Sequence, residues 1–165
     1  MSKKITLSVH GLVDFVLRTG DIDNRVFNLE TMTRGTQIHA YHQAKQNAQY
    51  LAEQYLDTDF TFGDLIIRLH GRVDGIIING DDVIIEEIKT TNSDLKTFAT
   101  NHKAWHLGQA ECYALMYCLK NEREKIGVQL TYISQIDATK MLDNYVYTRE
   151  QLMANVTSYF ATYLR

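Results

Sequence analysis

Between Tyr55 and Thr91 the helical recurrence of apolar residues gives way to β-branched and aromatic runs: Phe60-Thr61-Phe62, Leu65 to Leu69, Val73 to Ile78 and Val83 to Ile88. Asn79-Gly80-Asp81-Asp82 separates the last two runs, and because Asn and Gly tolerate positive φ it reads as a hairpin turn. A three-stranded antiparallel meander in the middle of the chain is therefore the element that every other segment must pack against. Upstream, Ser8 is an N-cap for a first helix carrying Val9, Leu12, Val13, Val16 and Leu17, with Gly20 as its stop. After a connection rich in Asp and Asn, a second helix is expected from about Met32 to Ala52, with Ile38, Tyr41, Ala48 and Leu51 on its inner stripe.

Downstream, helical spacing returns from Lys103 to Leu119, with Trp105, Ala110, Ala114 and Cys118 turned inward. Ile126 to Ile133 is a strand that follows a helix, so it docks onto the same sheet through a crossover, parallel to its neighbour. Tyr145 to Tyr147 adds an edge strand, and Thr148-Arg149-Glu150-Gln151 is a capping box opening a last helix with Leu152, Val156, Phe160 and Tyr163. The order α, α, βββ, α, β, β, α describes an α/β fold with a central mixed sheet flanked by helices. The last helix reaches Arg165 without a stop signal, which suggests a domain cut from a longer chain.

At 165 residues, 45% of them apolar, the chain supports one core, and residues 1–165 are read as a single domain. Its net charge of −3 provides no global basic field, so any anion-binding surface must be local. Cysteine is limited to Cys112 and Cys118, which excludes a disulfide framework, a structural zinc quartet and a four-cysteine iron–sulfur cluster, and fits a reducing cytoplasm. The longest apolar run, Ala114 to Leu119, is too short to span a bilayer, so no membrane partner is expected.

The chemistry concentrates in Gly71-Arg72-Val73-Asp74-Gly75 and Glu87-Ile88-Lys89. Residues two apart on a strand share a face, so Glu87 and Lys89 project together while the hairpin brings Asp74 alongside. Two carboxylates and an ammonium in one small volume suit a hard divalent cation, with Asp74, Glu87 and the carbonyl of Ile88 as oxygen ligands and Lys89 where an attacking water would sit. Alternation of charge on a solvated strand face would account for Glu86-Glu87-Ile88-Lys89 equally well. Glu86 points to the opposite face, and as the control for a Lys89 substitution its replacement is expected to matter little. Gln109 and Tyr113 share a helical face with His106 one turn earlier. They suit either contact with a phosphate or base edge, or a core tyrosine beside a satisfied glutamine. His39 with His42, or His102 with His106, lacks the glutamate or cysteine partners of a zinc site.

Together these residues resemble the PD-(D/E)XK nuclease superfamily, specifically its RecB-like branch. That family carries a histidine on a helix before the sheet, an Asp opening the second core strand, Glu-x-Lys on the third, and Gln-x-x-x-Tyr on the next helix. His39, Asp74, Glu87-Ile88-Lys89, and Gln109 with Tyr113 stand here in that order, and Glu53 is similar to the family's additional early acidic residue. The resemblance implies an αβββαβ restriction-endonuclease-like core and a Mg²⁺- or Mn²⁺-dependent DNA nuclease without an iron–sulfur cluster. His39, Asp74, Glu87 and Ile88 would hold the metal, Asp74, Glu87 and Lys89 would carry catalysis, and Gln109 and Tyr113 would position the DNA. Glu53 and His106 would be accessory. The opening Ser8 to Phe15 and the stretch Trp105 to Ala110 also resemble the N-terminal nuclease-like domain of bacterial DinG-type helicases. The implied partners are DNA, single-stranded or duplex with ends, and a covalently linked helicase domain. A catalytically silent module that keeps the fold and grips DNA or a helicase domain is the alternative.

Overall fold

The computed structural model describes residues 3–17, 29–47 and 49–165. Among them, six strands form one mixed sheet organised around β3 (Leu65–Asn79). One edge of β3 pairs antiparallel along its length with β2 (Tyr50–Phe62), from Tyr50↔Ile77 to Phe62↔Leu65. Its other edge is shared. β1 (Lys3–Ser8) lies parallel to Leu65–His70, and β4 (Asp82–Thr91) lies antiparallel from Gly75↔Glu86 to Asn79↔Asp82. Between the two, residues 71–74 are spanned by neither register. Beyond Glu86, β4 runs on with β5 (Lys125–Ser134), parallel through to Thr91↔Ser134. The sheet thus forks, with β3 and β4 diverging at Asp74 and Glu87. β6 (Lys140–Thr148) closes the far edge antiparallel to β5.

The helices α1 (Val9–Leu17), α3 (Leu95–Lys120) and α4 (Arg149–Tyr163) bury one face of the sheet. Leu12, Val13, Leu69, Ile85, Ala110, Ala114, Val128, Leu130, Leu152 and Val156 are all fully buried there. The expected caps are present: Ser8 Oγ accepts from Gly11 N at 2.9 Å, and Thr148 and Gln151 bond reciprocally at the start of α4. α2 (Leu29–Ala44) lies against the opposite face of β4, where Gly35 approaches Thr90 and His42 reaches Glu86. The crossover through α3 and the antiparallel meander agree with the expectation, as does the hairpin turn, in which Gly80 has φ +64.

Several boundaries differ from the sequence reading. The second helix ends at Ala44, and Leu51, expected on its inner stripe, lies in β2 and is 40% exposed. Tyr41 faces solvent, because the inward side of α2 is the polar set Gly35, His39, His42 and Gln43, which no apolar stripe can reveal. β1 has no counterpart in the sequence expectation: it pairs with residues some sixty positions later, which local patterning does not register. α3 starts earlier than expected, where Asp94 accepts from Thr97 N at 3.0 Å. Gly20, Ala48 and the expected connection across 18–28 lie outside the described residues.

Candidate functional site

The fork is where the chemistry collects. At its base β2 carries a distortion: Glu53 has φ +54, a region that non-glycine residues rarely occupy, between the register pairs Ala52↔Gly75 and Gln54↔Val73. The buried residues of β3 change parity at the same level, from Ile67, Leu69 and Val73 to Ile76. Glu53, between the expected helix end at Ala52 and the β runs from Tyr55, therefore lies inside β2, at the bend that faces Asp74.

Three side chains converge there. His39 Nε2 is 3.3 Å from Asp74 Oδ1, His39 Nδ1 is 3.8 Å from Glu53 Oε1, and one ligand atom from each of His39, Glu53 and Asp74 falls within 4.8 Å of the others. Gln43, one helical turn after His39, donates to Glu53 Oε1 at 2.9 Å and to the Asp74 carbonyl at 2.8 Å, tying α2 to both strands. Asp74 bridges the fork, because its Oδ2 accepts from Ile88 N at 2.7 Å. Burial disfavours the charged form of His39, but the bond to Asp74 and the charges of Asp74 and Glu53 outweigh it, so its pKa lies above the ordinary value.

Glu87 faces the helical core side and pairs with Lys89, Oε2 to Nζ at 3.4 Å. Burial, then the nearby Asp74 carboxylate, hold its carboxyl well above the usual range, and Lys89 only partly offsets them. The Lys89 ammonium also stands 5.9 Å from the Trp105 ring centroid. Two oxygen ligands and one imidazole nitrogen, with a further, buried carboxylate across the fork, form a donor set that suits a hard divalent cation. Asp74 and Glu87 belong to the two diverging strands, as the spacing required, whereas the tightest cluster joins Asp74 with His39 and Glu53.

Glu86 lies on the face opposite Glu87 and Lys89, as expected, and there it is the centre of a bonded network. It is 1% exposed, and its Oε1 accepts from Tyr50 Oη at 2.5 Å. Its Oε2 accepts from Thr131 Oγ1 at 2.5 Å, His42 Nε2 at 3.0 Å and Gln129 Nε2 at 3.1 Å. Lys140 Nζ donates to His42 Nδ1 at 2.8 Å, which leaves the ring proton on Nε2, where it faces Glu86. Burial opposes ionisation, yet the bonds from His42, Thr131 and Tyr50 hold the pKa of Glu86 below its ordinary value. Tyr50 reaches Glu86 by crossing Gly75, where a Cβ would lie 1.8 Å from its hydroxyl. One carboxylate thus joins α2, β2, β5 and, through His42, β6, and it holds in place the helix that presents His39.

Gln109, Tyr113 and His106 are all buried on α3, at 1%, 2% and 1% exposure. His106 Nδ1 is 3.0 Å from Tyr132 Oη, and burial, followed by the charges of Lys89 and His102, depresses its pKa so far that it stays neutral. Tyr113 reaches the open edge of β3, where its hydroxyl accepts from the Arg72 backbone. Tyr113→Phe is accordingly expected to leave that amide unsatisfied and to cost about 1–3 kcal/mol. Chemical denaturation reads this directly, and parent-like stability would show that the hydroxyl has no structural partner.

A fork of this shape, an αβββαβ core and an acidic cluster at the point of divergence define a restriction-endonuclease-like fold. A family model of the PD-(D/E)XK nuclease superfamily matches residues 15–165, and the chain belongs to that superfamily. Its nucleases depend on divalent metals, and His39, Glu53 and Asp74 form a group that could hold one. Among solved structures the chain is similar to the one titled "Crystal structure of SSO0001", with 19% identity, a TM-score of 0.59, and coverage of 98% of this chain and 77% of that one. No curated protein matches. Among the described residues no helix is long and apolar enough to cross a membrane.

Proposed function

We propose that the chain is a Mg²⁺- or Mn²⁺-dependent deoxyribonuclease domain that hydrolyses phosphodiester bonds, of the RecB-like branch and acting in DNA repair or recombination. The observation that carries this reading is the fork, with His39, Glu53 and Asp74 converging on one side and Glu87 with Lys89 on the other. A cation held by His39, Asp74, Glu87 and the Ile88 carbonyl would supply Lewis-acid polarisation of the phosphoryl oxygen and acidify water. Lys89 orients the attacking water and offsets charge that develops on the phosphate. Gln43 and Asp74 keep the two strands at a fixed separation. The resemblance to DinG-type helicases supports a linked helicase domain as partner and a cytoplasmic location.

Titration with Mn²⁺ by calorimetry, followed by incubation with single-stranded and duplex DNA, tests the reading. Cleavage is expected only with metal. Asp74→Ala is expected to abolish cleavage and weaken Mn²⁺ binding while the fold persists, because removing one carboxylate also relieves repulsion in the metal-free site. DNA binding without metal-dependent cleavage in the parent would favour the silent binding module.

A further inference from the structure

Gln109 is buried, so it cannot touch a nucleic-acid strand itself, yet its amide is not spent on the core. Its Oε1 is buried with no hydrogen-bond partner among the described residues, and its Nε2 donates to His10 Nδ1 at 2.9 Å. A buried carbonyl left unpaired is costly, so the residue is not explained as a satisfied core amide. Its partner is exposed: His10 lies in the first turn of α1, two residues past Ser8↔His70, the last pair between β1 and β3. That position overlooks the open stretch 71–74 of the fork.

Two contacts fix α1 against α3 beside this bond. A Cβ on Gly108 would lie 2.3 Å from Leu17 Cδ1, so the glycine sets the close approach. Trp105 Nε1 donates to Asp14 Oδ1 at 2.6 Å. Because Nδ1 of His10 accepts the amide hydrogen, the ring proton sits on Nε2, and the outward nitrogen is a donor. Burial first, then the charge of Lys89, keep the ring neutral against the opposing pull of Asp14 and Asp74, which also places it within electrostatic reach of the site. A neutral N–H within electrostatic reach of the Lys89 ammonium suits an anionic oxygen rather than a second cation.

We infer that His10 is a nucleic-acid-binding residue of this site, that its Nε2–H bonds a non-bridging phosphate oxygen of the strand, and that Gln109 is a positioning residue acting through it. The inference rests on the nuclease reading for the identity of the strand and reassigns Gln109 from contact to support.

Binding of a fluorescently labelled oligonucleotide, single-stranded and duplex, in metal-free buffer tests it apart from cleavage. His10→Ala is expected to weaken binding about tenfold, the loss of one charge-assisted hydrogen bond, with Mn²⁺ affinity unchanged and melting temperature lowered only by what Gln109 Nε2 loses with its acceptor. His10→Gln, which keeps a donor, should recover part of the loss. Gln109→Ala should weaken binding similarly, and the double variant should bind no more weakly than His10→Ala alone. Parent-like binding by His10→Ala would overturn the proposal, as would additive losses in the double variant. His10 is exposed, and His10→Gln offers Gln109 an acceptor as well as the strand a donor, so the two His10 variants separate strand binding from the loss of the Gln109 bond. A parent that binds in a His10-dependent way but never cleaves would sink the nuclease reading and leave His10 standing. Cleavage and binding both indifferent to His10 would do the reverse.

Discussion

Glu86→Ala is expected to be among the most destabilising single substitutions in this protein, costing about 3–5 kcal/mol in chemical denaturation, the range for removing one partner from a buried charged network. Tyr50, Thr131, Gln129 and His42 would each lose their acceptor, and the positive charge of Lys140 would face His42 with no carboxylate behind it. The pH dependence has a definite sign. The folded-state pKa of Glu86 lies below its ordinary 4.5, so its contribution is fully present above that value and is lost as pH falls through the folded pKa. The gap between parent and variant should therefore be flat through neutral pH and close only in acid. A variant as stable as the parent at pH 7 would mean that the four bonds do not form.

Lys89→Ala should lower the cleavage rate about 100- to 1,000-fold, the usual cost of losing one donor aimed at developing charge. Its effect on Mn²⁺ affinity should be far smaller, because Lys89 is not a ligand, although removing it also strips Glu87 of a cationic bond partner. That second effect makes a metal-free melting curve a necessary companion. A fall in stability with unchanged cleavage would assign Lys89 to neutralising Glu87 rather than to chemistry. Loss of Mn²⁺ binding would instead show that its charge holds the carboxylates together.

The meander, the crossover and the last helix were legible because each is written in a local period: alternation from Leu65 to Ile88, helical spacing after it, and a capping box at Thr148. The site was legible in part for the same reason. Asp74 and Glu87 had to meet if their strands paired, and they do flank the divergence. What escaped depends on non-local geometry. The left-handed backbone at Glu53 has no sequence signature in a residue other than glycine, so the strand was read as starting later. The network around Glu86 is legible only if the strand is read as covered on both faces. Val83-Ile84-Ile85 and Ile88 form a run that is apolar on both faces, the mark of a strand covered twice, and a carboxylate inside such a run has to be bonded. The partners of Gln109 and Tyr113, His10 and the Arg72 amide, lie nearly a hundred and about forty residues away, beyond any spacing argument.

The order in which the fork can be assembled follows from how far apart its walls lie along the chain. The meander closes through tight turns, so Glu53, Asp74 and Glu87 can gather early at little loop-closure entropy. The wall that bears His10 must wait for contacts spanning 91 residues to Trp105 and 99 to Gln109, the kind that slow folding and gain late. The same segment is the natural first unit to detach in the native ensemble, since short β1 and a two-turn helix bury less than the sheet they lean on. A molecule with that segment detached keeps its carboxylates gathered, and hence its hold on a cation, while its grip on a strand lapses, so slow amide exchange across β3 and β4 and faster exchange across residues 3–17 would mark metal capture and strand capture as separately folding halves of one site.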